Sequence, residues 1–167
     1  LKAQPLWALA LEFQVEPDPE MFGRMMVYLG TLWMERRPDP APGTRYQLAS
    51  CVVNLTGTSR SHPASASFVW PGPDKVQVIL DVREVFLAEE SARDTLAGIA
   101  SGVYDRALLP WIPLMDGGSE AAAITRWVEL ATAEGDERTR AGLGYHALVF
   151  AEKSADPGAW RKALEGW

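Results

Sequence analysis

Near its start the chain alternates. Trp7, Leu9, Leu11 and Phe13 share one parity, and Ala8, Ala10, Glu12 and Gln14 share the other, the period-two signature of a strand. Glu12 and Gln14 therefore project from one face, about 7 Å apart at roughly 3.3 Å per residue. A carboxylate and an amide on an otherwise apolar strand are costly to bury alone, so each is expected to meet polar groups of the fold or a ligand. The period then changes. Phe22, Met25, Met26, Leu29, Leu32 and Trp33 keep helical spacing, with Arg24, Tyr28, Thr31 and Glu35 on a more polar face. The spacing predicts a helix over 19–37, with Asp18 as N-cap and Pro19 at the first helical position. Arg36 and Arg37 suit its C-terminal dipole, and Pro38, Pro40 and Pro42 forbid continuation. Gly23 and Gly30 weaken the helix but let it sit close on a sheet.

A second strand is expected over 46–55, its run from Ala49 to Val53 reading as a strand covered on both faces. Strand, helix, strand make a βαβ unit whose crossover is expected to be right-handed. Residues 56–66 are polar and read as loop. Phe68–Trp70, the turn Pro71–Asp74 and the alternating Val76–Val82 read as a hairpin. From about Ala88 the reading is helical. Helices are expected over 90–101, from a Ser119 cap through Ala133, from an Asp136 cap to about Ala151, and from Asp156-Pro157 to Trp167. The fold class is thus α/β: a short mixed β-sheet with strands near 7–14, 46–55 and 76–82, and a helical C-terminal half. The expected division is a core over 1–87 and a helical extension over 88–167 packed on it.

Composition changes this picture little, since 167 residues with 47% hydrophobic content fit a single domain. No run of apolar residues is long enough for a membrane span and no secretory signal opens the chain, which points to a cytoplasmic setting. The lone Cys51 lies in an apolar run and reads as a small core residue. Charge is uneven: residues 1–83 carry 8 cations and 8 acids, residues 84–167 carry 8 and 14. No basic stripe argues for nucleic acid, and a duplex would have to meet the neutral first half. Neither His62 nor His146 has a second ligand at metal spacing, so no zinc site is expected. The seven tryptophans read as packing residues, and Gly117-Gly118 as a turn.

Leu11-Glu12-Phe13-Gln14, then Asp18, Arg24-Met25 and Tyr28, resembles the Rpn-like recombination-promoting nucleases, also described as putative transposases, a branch of the PD-(D/E)XK superfamily. Further similarity lies in Val52–Gly57 and Leu109–Met115. The resemblance implies a restriction-endonuclease-like core and a Mg²⁺-dependent DNA endonuclease, a phosphodiesterase. In that family Mg²⁺ sits between an Asp on one strand and the first carboxylate of the motif on the next. A hard cation of this kind takes oxygen ligands and keeps several waters. Carried over by position, Glu12 is the metal ligand and Gln14 stands where Lys is usual, as it does in related Rpn-like members. Arg24 and Tyr28 are the implied substrate-binding residues, with DNA as partner.

The departure is upstream. No Asp precedes Glu12, and the family's first strand or two fall outside this sequence, so half a metal site is expected and with it weak or no nuclease activity. Plainer readings stand beside this. Glu12 is then the half-exposed end of a strand, Arg24 its ion-pair partner and Tyr28 a packing residue. The alternative function is a non-catalytic interaction module that keeps the nuclease fold, its acidic helical half serving self-association or a protein partner.

Overall fold

The computed structural model describes residues 6–35, 46–59, 65–69, 77–165 and 167, with no side-chain detail between 65 and 80. The chain divides into two compact units, Leu1–Val85 and Phe86–Trp167.

The N-terminal unit is built on the βαβ unit read from the pattern. Strand β1 (Trp7–Gln14) pairs in parallel with β2 (Gln47–Asn54), each residue facing the one 40 positions on. Between them runs helix α1 (Met21–Glu35). Its start is two residues later than expected: Asp18 Oδ1 accepts from the Glu20 amide at 2.8 Å, and Pro19 lies in the turn ahead of the helix. Residues 36–45, with the Arg-Arg and Pro signals, lie outside the described residues, as does the turn at 71–74.

Which face of β1 is covered is the first departure from intuition. The small and polar parity packs inward: Ala10 is buried and Gln14 is 7% exposed, while Trp7, Leu9, Leu11 and Phe13 are 44–59% exposed. The helix supplies the bulk. Met21 and Met25 close on Ala10, Val52 and Val82, with Phe22, Leu29 and Leu32 packed around them. Large side chains on α1 need small ones on the strand beneath at interior packing density, and Ala10 provides that room. β2 follows suit, burying Ser50, Val52 and Asn54 while Ala49, Cys51 and Val53 are half-buried, so it is covered more fully on one face than on the other. Gly23 and Gly30 do not seat the helix on the sheet: a Cβ at either would meet nothing within 4 Å, because both lie on the outward side.

The third strand of this sheet is the short β5 (Arg83–Phe86), which the alternation did not single out. The segment expected to fill that place instead forms a separate two-stranded antiparallel sheet, β3 (Ser65–Val69) with β4 (Gln77–Asp81). The hairpin reading holds, but its strands do not enlarge the main sheet. Ser50 Oγ donates to the Asp81 carbonyl at 3.1 Å, tying the end of β4 to β2.

The C-terminal unit is helical, as read. Helix α2 (Ala92–Ala100) starts at Ser91, whose hydroxyl accepts from the Asp94 amide at 3.2 Å. Residues Arg106–Leu114 form a 3₁₀ segment, since Pro110 and Pro113 remove the amides that an α-helix would use. Helices α3 (Ala121–Thr132), α4 (Glu137–Ala151) and α5 (Pro157–Ala163) follow. Asp136 and Asp156 cap α4 and α5 as expected, accepting from Thr139 and Ala159. Ser119 does not cap α3: its hydroxyl accepts from the Asp156 amide, and Glu120 precedes the helix without a side-chain cap. The Gly117-Gly118 turn is a steric necessity, because a Cβ on Gly118 would lie 2.0 Å from the Ile112 carbonyl oxygen and Gly117 has φ +72°.

Trp127 and Trp160, both wholly buried, meet edge to face at 5.5 Å, and Trp167 tilts against Trp127 at 5.3 Å. The expectation that the tryptophans are packing residues holds for these. Trp7 and Trp33 are instead 59% and 49% exposed. Within the buried pair, Trp127 Nε1 donates to the Leu109 carbonyl at 2.7 Å, whereas Trp160 Nε1 has no partner among the described residues.

That asymmetry sets an expected difference in stability. Trp127→Phe strands the Leu109 carbonyl, whereas Trp160→Phe removes an unsatisfied donor. Trp127→Phe is therefore expected to cost roughly 1–3 kcal/mol more in denaturant unfolding. A second expectation concerns acid. Hydrogen bonds from the Thr139 hydroxyl and amide hold the Asp136 carboxyl below its ordinary range, so its contribution is present above the unfolded-state pKa and lost as pH falls through the lowered folded-state value. The Tm gap between wild type and Asp136→Ala should be constant near neutrality and close in acid.

Candidate functional site

Glu12 and Gln14 project from the same face of β1 at its C-terminal end, beside the C-terminal end of β2. In open parallel sheets this is the end at which ligands collect. The two residues have different surroundings. The Glu12 side chain is 24% exposed and meets Arg24 Nη2 of α1 at 3.4 Å. The same nitrogen lies 3.2 Å from Asp18 Oδ2. One guanidinium thus stands between two carboxylates, one from the strand and one from the turn that follows it. Arg24 is 43% exposed, so these pairs add only about 0–1 kcal/mol to stability. What they fix is position.

Gln14 turns inward. Its Nε2 donates to Asn54 Oδ1 across the β1–β2 ladder, and Asn54 Nδ2 reaches the Val85 carbonyl at 3.4 Å. The result is a polar rung crossing all three strands of the sheet, buried at Gln14 and Asn54. A buried amide needs such partners, and Asn54 is the residue that the sequence reading passed over. The register of the parallel pair places Asn54 beside Gln14, and the two apolar runs, unequal in length, do not fix that register by themselves.

Tyr28, one turn after Arg24, is 37% exposed and takes no part in the Glu12–Arg24–Asp18 cluster. It lines, with Pro19, Phe22, Arg24 and Val27, a shallow open groove of about 700 Å³ along the start of α1. Of the four residues singled out, Glu12 and Arg24 are thus joined, Gln14 is engaged with Asn54, and Tyr28 lies aside. Among the described residues no group of three or more His, Cys, Asp or Glu could hold a metal ion. His146 Nδ1 is engaged with the Gly142 carbonyl at 2.8 Å, and His62 lies outside the described residues. Cys51 is half-buried, and burial pushes its thiol above the ordinary range against the opposing pull of Arg83.

In the C-terminal unit a concavity of about 380 Å³ lies between the starts of α2 and α3, lined by Ser91, Arg93, Asp116, Glu120 and Arg126 among others. Its two cations and two acids balance, and Arg126 is also paired with Glu129 at 2.6 Å. No helix among the described residues is long and apolar enough to cross a membrane. No family model, curated protein or solved structure matches the chain.

The Gln14–Asn54 rung is testable apart from any activity. Asn54→Leu alone leaves the buried Gln14 amide short of its acceptor and should cost about 1–3 kcal/mol. Adding Gln14→Leu should recover part of that loss, and a double-mutant cycle by denaturant unfolding measures the coupling.

Proposed function

We propose that this chain carries the Glu-x-Gln half of a PD-(D/E)XK-type, Mg²⁺-dependent DNA endonuclease site of the Rpn-like kind, weak or inactive as it stands. The observation that carries the reading is the shared face of Glu12 and Gln14 at the end of a parallel strand, with Arg24 of the next helix on Glu12. The functional class itself comes from the sequence resemblance.

The donor set fits Mg²⁺ in part. Glu12 is the residue that would hold it. Asp18 is a second carboxylate close by, joined to Glu12 through Arg24. When bound, Mg²⁺ lowers the pKa of a ligated water and offsets charge on a scissile phosphate. The protein's own groups have narrower roles. Arg24 neutralises both acids and must give up at least one of them before it can meet a phosphate oxygen. Gln14 brings no charge, and its amide is committed to Asn54. A cation entering between Glu12 and Asp18 would compete with a guanidinium already in place, and Mg²⁺ sheds its water reluctantly.

The second reading is a non-catalytic interaction module. It is favoured by the same neutralisation of Glu12 and by the inward turn of Gln14, which leave little free chemistry at the strand end.

Calorimetric titration with Mg²⁺ and Mn²⁺, run beside plasmid nicking in Mn²⁺, separates the two. The nuclease reading expects weak metal binding and residual nicking, both abolished by Glu12→Ala, with at most a small change in Tm because a half-exposed Glu12–Arg24 pair contributes only about 0–1 kcal/mol. Absence of any nicking, together with metal binding that Glu12→Ala leaves unaltered, sinks that reading and leaves the module. Tight stoichiometric binding lost in Glu12→Ala contradicts the weakness argued here.

A further inference from the structure

Two arginines of this chain hold carboxylates in different ways. Arg161 clasps both oxygens of Glu152, its Nη2 at 2.6 and 2.7 Å and its Nε at 3.0 Å from them, the bidentate grip usual for a guanidinium. Arg24 has no such grip. A single nitrogen, Nη2, lies 3.4 Å from Glu12 Oε1, 3.2 Å from Asp18 Oδ2 and 3.5 Å from the Met21 sulfur. Each is longer than the roughly 2.7–2.9 Å of a strong charge-assisted bond. The other two nitrogens, Nε and Nη1, make no hydrogen bond to a described residue. The backbone, not Arg24, places the acids. Glu12 stands on β1, in register with β2, and Asp18 Oδ1 accepts from the Glu20 amide at 2.8 Å. The movable member is the half-exposed guanidinium.

Charge decides what such a trio accepts. Two acids and one cation leave a single negative charge. An anion arriving alone meets that excess. A divalent cation arriving alone meets a positive group already standing between the two carboxylates, and like charges at that range repel. Each is poorly received by itself. Together they fit: the carboxylates are balanced by the divalent cation, and Arg24, turned outward, is balanced by a singly charged oxyanion. A phosphodiester is such an anion, and its tetrahedral oxygens match the planar fork that Arg24 has left open.

We propose that Arg24 is an autoinhibitory counter-ion. It closes the seat between Glu12 and Asp18 to divalent cations, and a phosphodiester drawn onto its open edge releases that seat, so that cation and phosphodiester bind well as a pair and poorly apart. The inference rests on the reading of Glu12 as a metal ligand and supplies the regulation of that site. The coupling is reciprocal, each ligand raising affinity for the other by the same factor.

Calorimetric titration of the full chain with Mn²⁺, with and without dimethyl phosphate, tests it, since that probe is a diester bearing one charge. In its presence Mn²⁺ should bind roughly 5–150-fold more tightly, the usual span of such couplings. Arg24→Gln removes the counter-ion at a half-exposed position. Mn²⁺ alone should then bind about ten-fold more tightly than to wild type, or better, and dimethyl phosphate should add nothing further. Glu12→Ala on top of Arg24→Gln should erase the gain. Mn²⁺ affinity that dimethyl phosphate leaves unchanged in the wild type overturns the proposal, as does affinity unchanged by Arg24→Gln. Should weak wild-type binding still vanish in Glu12→Ala, the metal-ligand reading outlives that failure. Binding that ignores Glu12→Ala in both backgrounds removes the two together.

Discussion

The N-terminal unit depends on one packing decision, that β1 shows α1 its small side. Met21 and Met25 are wholly buried against Ala10 and Val52, and the strand accommodates them because Ala8 and Ala10, not Trp7 and Leu9, face the helix. Everything of chemical interest follows from this. Glu12 and Gln14 share the parity of the alanines, so covering that face carries both toward the start of α1. Arg24 then meets Glu12, and Gln14 enters an interior where an unsatisfied amide would cost about 1–3 kcal/mol. Asn54 answers that need from the neighbouring strand. The same decision turns four large apolar side chains outward.

The C-terminal unit is organised differently, around aromatic rings seated on small residues. A Cβ on Gly144 of α4 would lie 2.6 Å from the Trp167 ring, so only glycine admits that ring against the helix. Trp111 stacks on Phe150 at 4.5 Å, joining the 3₁₀ segment to α4. The two prolines of that segment keep it from becoming a helix and set its shape. Residues Leu109–Met115 are largely buried. Their role in this unit is in its core.

Much of the architecture is legible in the chain because its signals are local. Helical spacing from Phe22 to Trp33 and capping by Asp136 and Asp156 depend on neighbours within a turn or two, and these elements lie where the pattern puts them. The parallel pairing of β1 and β2 follows from strand, helix, strand. What escaped depends on distant partners. Which parity of β1 is buried cannot be settled by alternation alone, since the apolar parity is the natural guess and α1 overrules it. Ser119 looks like a cap for α3 but is used by Asp156, 37 positions away. Four residues, Arg83–Phe86, are too short and too charged to announce a strand, yet they complete the sheet. At the site, the proximity of Glu12 and Arg24 was legible from the tight strand-to-helix turn. The Gln14–Asn54 rung was not, because it needs the register between strands.

The 40-residue offset between β1 and β2 has a consequence for synthesis. β1 leaves the ribosome first, and the strand that pairs with it follows 40 residues later. At ordinary elongation rates that is a wait of roughly 2–8 s, long beside the microseconds in which a hairpin closes. Through that interval Trp7, Leu9, Leu11 and Phe13 emerge with both strand edges unpaired. The nascent chain therefore presents chaperones with a holding site at β1, and slowing translation between Asn54 and β5 would lengthen the exposure of the sheet more than slowing it anywhere in the C-terminal helices.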